Sequence, residues 1–134
     1  MPKPLRTPVV AAIAAAASLG IHAAAAQQPG IRRVDLQRHD LSAPGREVIQ
    51  ARVEFDPGAA FPRHYHPGEE IIFVLDGSLE YQLGDDAPVT LRAGDVLFVP
   101  ARVIHSARNV SDAPAAELAT YVVEKGQPLL VTVP

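Results

Sequence analysis

Apolar and polar residues alternate along most of this chain in short runs, and no window repeats at helical spacing long enough to predict a helix. Over residues 48–55 the side chains at odd positions are apolar and most of those between them are polar, which is the period of a half-buried strand. Asp56-Pro57-Gly58 then interrupts the run, as turn residues do. The pattern therefore predicts an all-β domain.

Similar runs, separated by turn residues, predict the remaining strands. They cover residues 61–66, 69–75, 78–83, 89–93, 95–99, 103–109, 117–124 and 129–133. Asp76-Gly77 lies between two of them and predicts a hairpin with a type I′ turn. Strands spaced about every 8–12 residues are typical of a sandwich or barrel, whose interior is filled by large side chains. The predicted core comprises Phe61, Phe73, Tyr81, Leu83, Phe98 and Ile104.

The segment from Met1 to Ala26 has a different composition. It holds ten alanines, two basic residues near the start (Lys3 and Arg6) and no acidic residue, and it ends in Ala24-Ala25-Ala26. This pattern predicts a signal peptide cleaved after Ala26, and hence a periplasmic or secreted protein. A retained membrane anchor is the alternative, but a spanning helix needs about 20 residues more strongly apolar than alanine. Because no twin arginine lies in this segment, we expect export of an unfolded chain that acquires any metal afterwards.

Composition narrows the classes of function for the rest of the chain. Without Lys3 and Arg6, 10 of the 12 basic side chains remain after Ala26, against all 15 acidic ones. This acidic balance, without a basic run, argues against a nucleic-acid partner. The absence of cysteine excludes disulfides, thiolate metal sites and cysteine nucleophiles. The length fits one domain, with residues 27–46 as an N-terminal arm and 47–134 as a barrel.

Three histidines and one glutamate carry the candidate chemistry. His64 and His66 are separated by one residue of an extended segment, so both imidazoles face the same side, with Cα atoms about 6.5–7 Å apart. After a turn at Pro67-Gly68, Glu70 returns on the adjoining strand, and His105 comes from another strand. Such a set predicts one divalent transition metal ion (Mn, Fe, Co, Ni, Cu or Zn) and disfavours Mg or Ca. The alternative is a surface histidine pair on a barrel that binds no metal.

At these residues the sequence resembles the cupin superfamily, in particular its small single-domain members. The first cupin motif is matched by Gly58, His64, His66, Glu70 and Gly77, and the second resembles Gly94, Pro100, His105 and Asn109. Arg102 stands where the second motif has glycine. It would either gate a pocket and attract an anionic substrate, or lie in a surface loop.

The resemblance covers about half of the mature chain and implies a fold and an assembly. The fold is an antiparallel jelly-roll barrel with the metal, held by His64, His66, Glu70 and His105, between its sheets. The assembly is a homodimer, often with an N-terminal strand added to the partner's sheet. Residues 31–41 are the candidate for that exchange.

The resemblance to cupins with three histidines and one glutamate implies a metal-dependent enzyme acting on a small molecule, first of all a dioxygenase. A non-redox lyase, decarboxylase or isomerase is the first alternative, and a barrel that binds a metal or small ligand without turnover is the second. Beyond the ligands, only His39, Tyr65, Tyr81, Tyr121 and scattered carboxylates offer acid–base groups, which favours chemistry done by the metal. In an exported protein, competition among metals predicts Zn, Cu or Ni more often than Fe.

Overall fold

The computed structural model describes residues 28–134, so the predicted signal peptide lies outside the described residues. Residues 28–134 form ten strands. They are β1 (Ile31–Asp40), β2 (Arg46–Phe55), β3 (Ala60–Tyr65), β4 (Gly68–Asp76), β5 (Ser78–Leu83), β6 (Val89–Arg92), β7 (Val96–Val99), β8 (His105–Arg108), β9 (Ala115–Glu124) and β10 (Val131–Thr132). In this part of the chain no helix is long and apolar enough to cross a membrane.

The strands form two five-stranded sheets in which every pairing is antiparallel. The first sheet has the order β1-β2-β9-β4-β7 and the second the order β10-β3-β8-β5-β6. Consecutive strands change sheets at several points, as in a jelly roll. The all-β jelly-roll prediction is confirmed. In the single chain, β1 pairs along its length with β2, and its exchange with a second chain stays a prediction.

Alternation along the strands sets the core between the two sheets. In β2, residues 47, 49, 51, 53 and 55 are buried and the residues between them are only partly buried, as the sequence pattern predicts. Across the interior, Leu79 and Tyr81 of β5 contribute buried side chains from the second sheet. The core is thus a layer of side chains contributed by both sheets.

The predicted hairpin at Asp76-Gly77 is wrong. The two strands that flank it, β4 and β5, belong to different sheets, so the turn carries the chain from one sheet to the other. Gly77 has φ of 71°, but among the described residues Arg102 is the one residue other than glycine with positive φ, so Asp76 does not adopt the type I′ conformation. A Cβ on Gly77 would lie 2.7 Å from the carbonyl oxygen of Pro114, so glycine here permits a close approach of two segments.

Two predicted core residues, Phe73 and Phe98, lie outside the barrel. They are 43% and 57% exposed, on the outer face of β4 and β7, where they neighbour the exposed Ile71 and Val96. The error has a physical cause, because β4 is apolar on both faces and its alternation does not distinguish the inner face from the outer. Of the other predicted core residues, Tyr81 is buried and Phe61, Leu83 and Ile104 are partly buried.

A cavity of about 1060 Å³ lies between the sheets. Its wall includes the inner faces of β1, β2, β4 and β9 from the first sheet and of β3, β5 and β8 from the second. Residues 126–130, which precede β10, complete the lining. The fold therefore provides a partly open space on which side chains from both sheets converge.

Candidate metal centre

The four predicted ligands come from both sheets and meet at the cavity. His64 lies on β3 and His105 at the start of β8, where the two residues are register partners in the second sheet. Glu70 projects from β4 of the first sheet, and His66 lies between β3 and β4. All four residues are buried, with exposures between 2% and 6%. The fold thus brings together residues that lie far apart in the sequence.

A glycine allows the chain to return from His66 to Glu70. At Gly68, where β4 begins against β9, a Cβ would lie 2.1 Å from the carbonyl oxygen of Val122 and 2.7 Å from the Cα of Val123. No side chain fits at that distance, so the close approach of β4 to β9 requires glycine. This approach returns Glu70 to the same point as the imidazoles.

The three imidazoles form one compact cluster. The ring centroids of His64 and His105 are 4.2 Å apart, those of His64 and His66 are 4.9 Å apart, and those of His66 and His105 are 5.1 Å apart. One ring nitrogen from each histidine lies within 4.8 Å of those of the other two. This arrangement positions three nitrogen donors for a single metal ion.

Backbone carbonyls fix which nitrogen of each ring is free. The Nδ1 atoms of His64, His66 and His105 lie 2.7, 2.7 and 2.9 Å from the carbonyl oxygens of Pro62, Leu129 and Val103. A carbonyl only accepts hydrogen bonds, so each Nδ1 carries a hydrogen and donates it. In a neutral ring the lone pair is then on Nε2. This is the tautomer in which a backbone partner at Nδ1 holds a metal-binding histidine.

The Nε2 atoms and the Glu70 carboxylate fit a bound cation. Glu70 Oε2 lies 2.9 Å from Nε2 of His105 and 3.3 Å from Nε2 of His66, and Nε2 of His66 is buried without a hydrogen-bond partner among the described residues. In neutral rings with hydrogen on Nδ1, these contacts bring lone pairs together unless a cation lies between the donors. Two donors bound side by side to one cation at about 2.1 Å would be about 3 Å apart, in agreement with both distances.

The electrostatics of the cluster favour the metal-binding forms of Glu70 and His64. Burial alone would raise the pKa of Glu70, but its side-chain contacts with His105 and then His66 outweigh burial, and the pKa lies below its usual range. Burial, followed by the positive charge that His105 can carry, lowers the pKa of His64 to about 4. Near pH 7, Glu70 is therefore an anion and His64 a neutral imidazole.

Two motif residues have structural positions. Asn109 is fully buried, and its amide donates to the carbonyl oxygens of Phe55 and Ala113. Arg102 is exposed and absent from the cavity lining; its guanidinium lies 3.6 Å from Glu124 and its backbone N–H donates to the carbonyl of His66. Of the two interpretations of Arg102, the surface loop is the one observed.

Three further residues of the cavity, Arg33, Glu117 and Tyr121, belong to no sequence motif. Tyr121 of β9 packs edge-on against His66 at 4.7 Å, and the Arg33 guanidinium lies 5.3 Å from the Tyr121 ring centre. Burial, and next the charge of Glu70, raise the pKa of Tyr121 well above its usual range. Glu117, also on β9, accepts a hydrogen bond from the Tyr81 hydroxyl inside the cavity. Its alternation with Ala119 and Tyr121 groups the three residues on one face of β9 but does not show that this face is the inner one.

Known proteins share sequence with much of this chain. Residues 51–123 match a family model described as the Cupin domain. Germin-like protein 1 of Brassica napus is 35% identical over 82 residues, which are 58% of this chain and 40% of the relative. Protein SchB of Streptomyces halstedii is 43% identical over 60 residues, which are 44% of this chain and 43% of the relative. The chain thus spans about two fifths of the length of these curated relatives.

Solved structures share the fold. An oxalate oxidase in complex with the substrate analogue glycolate is 26% identical, with a TM-score of 0.63 over 78% of this chain and 56% of the other. The DMSP lyase DddQ of Ruegeria pomeroyi DSS-3 is 29% identical, with a TM-score of 0.58 over 64% of this chain and 43% of the other. The family model covers more than half of the chain, and the motifs and the fold of the chain agree with that match. The chain belongs to the Cupin domain family.

Proposed function

We propose that this protein is an enzyme that uses one divalent transition metal ion, held by His64, His66, Glu70 and His105, to act on a small organic molecule. The observation that carries this proposal is the cluster of three imidazoles and one carboxylate, of which His64, Glu70 and His105 line a cavity of about 1060 Å³. That volume is at the upper end of the range of small-molecule sites, roughly 300–1,000 Å³.

When bound, the ion would polarise a substrate oxygen and, if it is redox-active, give access to O₂ chemistry. The protein's own residues hold and shield the reacting groups. Carbonyl partners orient the three imidazoles, Glu70 offsets positive charge at the centre, and Tyr121 packs over His66. Apolar side chains such as Ile72 exclude water from the cavity wall.

Oxidation with O₂ is the first reaction class that we propose, and a dioxygenase is its most specific form. The support is the resemblance to cupins with this ligand set and the similarity to an oxalate oxidase. An oxygen electrode tests this class directly. The protein, purified and loaded with Mn²⁺ or Fe²⁺, is supplied with oxalate, glycolate and a panel of phenols, and oxygen uptake is expected with at least one of them.

A non-redox elimination or decarboxylation is the second reaction class, and a specific observation favours it. Glu117, which no sequence motif marks, and Tyr81 place a buried acid–base pair in the same cavity. The similarity to a DMSP lyase supports the same class. Turnover by Zn²⁺-loaded protein without oxygen would select this class over oxidation.

One substitution separates both enzymes from a barrel that only binds. His105→Ala removes a ligand that β8 positions, so it should abolish any turnover found for the wild type. A wild type that holds its metal and binds oxalate or glycolate tightly, yet converts no substrate of the panel, would establish the binding barrel.

We also propose that the protein is an exported homodimer. Support for the dimer comes from the outer face of β4 and β7, where Ile71, Phe73, Val96 and Phe98 are between 43% and 65% exposed. Four adjacent large apolar side chains on one face are typical of an interaction surface. Phe98→Glu should convert the dimer into a monomer in analytical ultracentrifugation, and a wild type that sediments as a monomer would refute the proposal.

A further inference from the structure

The carboxyl group of Glu117 is a buried polar group that the metal centre does not use. Glu117 is 5% exposed and Tyr81 is 1% exposed, and both line the cavity. The Tyr81 hydroxyl, which comes from β5 of the second sheet, donates a hydrogen bond to Oε2 of Glu117. This bond crosses the interior and leaves Oε1 free to face a molecule in the cavity.

No cation balances Glu117 within the described residues. The strands on either side place Val53 and Val74 beside it, and it forms no ion pair with Lys, Arg or His in residues 28–134. The titratable groups that act on it are Tyr81 across the cavity and Glu70 nearer the histidines. Its environment therefore favours a neutral carboxylic acid over a carboxylate.

Glu47 provides a contrast on the same cavity wall. It is 4% exposed, but the Arg38 guanidinium donates to both of its carboxylate oxygens, at 2.6 and 2.7 Å. Such a bidentate pair satisfies a buried carboxylate completely. The pairing with Arg38 thus explains why the Glu47 carboxylate can be buried, whereas Glu117 has no such partner among the described residues.

The protonation of Glu117 follows from these surroundings. Burial, followed by the charge of Glu70, raises its pKa to about 8, and the hydrogen bond from Tyr81 moderates the rise. Because Tyr81 donates to Oε2, the proton of the neutral acid is on Oε1. Near pH 7 this oxygen is a hydrogen-bond donor that carries no net charge.

The distance between Glu117 and the histidines suits a small molecule. Tyr81 is the register partner of Ala107, which lies two residues from His105 along β8, or about 7 Å. The Tyr81 hydroxyl, and with it the Glu117 carboxyl, therefore lies within roughly 10 Å of the cluster. A molecule of two to four carbons spans that gap.

We propose that Glu117, oriented by Tyr81, is the second attachment point for the substrate, donating a hydrogen bond to one oxygen of a small organic acid whose other oxygen function lies at the histidine cluster. The proposal rests on the proposed function and specifies its substrate class: a short molecule with oxygen functions at both ends, one of them a carboxylate. Glu117 is then a specificity-determining residue, and Tyr81 is the residue that positions it.

Calorimetric titration with glycolate tests the proposal without requiring turnover. The full-length protein is loaded with Zn²⁺, which does not oxidise the probe, and its affinity is measured from pH 6 to 9.5. Wild-type affinity should fall about tenfold per pH unit once Glu117 loses its proton. Glu117→Gln keeps a donor that does not titrate, so this fall should be absent. Glu47→Gln is the matched control and should keep the wild-type profile.

Tyr81→Phe provides a second variant. Without the phenol, the carboxylate form of Glu117 loses a donor, so the fall in affinity should begin at a higher pH than in the wild type. An unchanged profile in both Glu117→Gln and Tyr81→Phe would overturn the proposal, as would a Zn²⁺-loaded wild type that does not bind glycolate. Both outcomes leave the metal centre intact, whereas a wild type that retains no Zn²⁺ would refute the proposed function itself.

Discussion

Two buried glutamates of the same sheet face the same cavity, and their surroundings shift the pKa values of their carboxyl groups in opposite directions. Glu70 on β4 meets the imidazoles of His66 and His105, which lower its pKa. Glu117 on β9 meets a phenol and two valines, and burial raises its pKa to about 8. The two residues are equally hidden from solvent, so burial alone does not decide the charge of a carboxyl group. The groups around the carboxyl decide whether it is charged.

This difference divides the cavity into two ends with separate functions. The histidine end supplies the Glu70 anion, the neutral imidazole of His64 and two further ring nitrogens, which is a donor set that a metal ion needs. The Glu117 end supplies a neutral acid, which is what an oxygen atom of a substrate needs. The cavity thus offers a site for a cation at one end and a hydrogen-bond donor for a substrate oxygen at the other. A single molecule can reach both.

The same substitution made at each end should give the largest contrast. Glu70→Gln removes the only carboxylate of the metal centre. The metal affinity of this variant should fall by more than about 100-fold, which exceeds the usual loss when a residue that only supports a ligand is replaced. Glu117→Gln should leave the affinity within a few-fold of wild type. Competition against a fluorescent zinc chelator measures both, and equal losses in the two variants would remove the distinction between the ends.

The pH dependence of stability should show the Glu117 end directly. Its pKa rises from 4.5 in the unfolded chain to about 8 in the native one, so the native state holds the proton more tightly. This contribution to the free energy of unfolding is complete below pH 4.5 and is lost as the pH rises through 8. Urea denaturation from pH 4.5 to 8.5 should show a fall of a few kcal/mol that Glu117→Gln lacks and Glu47→Gln retains.

The histidine end, freed of metal, should respond to pH with the opposite sign. The pKa of His64 falls from 6.5 in the unfolded chain to about 4 in the native one, so the unfolded state binds the extra proton. Stability from this residue is present above pH 6.5 and is lost as the pH drops towards 4. In protein treated with EDTA, His64→Gln should weaken that acid-side loss, and a curve identical to wild type would contradict the assignment.

The smallest effect is expected at Arg102, beside the metal centre but outside the cavity. Its φ of 63° lies in the left-handed region, which costs an L-residue with a Cβ roughly 1 kcal/mol. Arg102→Gly should therefore raise the free energy of unfolding by up to about 1 kcal/mol. Metal affinity should not change, because the exposed guanidinium lies outside the cavity and pairs with Glu124. A large loss of metal binding would instead give Arg102 a part in the site.

The metal centre could be predicted from the sequence because its spacing is local. His64, His66 and Glu70 are close neighbours in the chain. Because a turn at Pro67-Gly68 follows the two histidines, the geometry of an extended segment is enough to predict that the three side chains converge. His105 lies much further along the chain, and only the resemblance of its own motif assigned it. The strands themselves followed from alternation and turn residues.

The other end of the cavity could not be predicted in the same way. Glu117 and Tyr81 are 36 residues apart, on strands of different sheets, and no motif links them. Strand β9 has apolar residues on both faces, so its alternation does not tell which face is inside. The same ambiguity misplaced Phe73 and Phe98 in the core. Contacts between sheets depend on topology, which the local pattern does not determine.

The central claim is that His64, His66, Glu70 and His105 hold one metal ion, and elemental analysis tests it most directly. The wild type and His105→Ala are purified in parallel without added metal, and the transition metals in each are measured by mass spectrometry. We predict close to one ion per wild-type chain, with Zn, Cu or Ni more often than Fe, and almost none in the variant. A folded wild type without a transition metal, or equal metal in both proteins, would contradict the account.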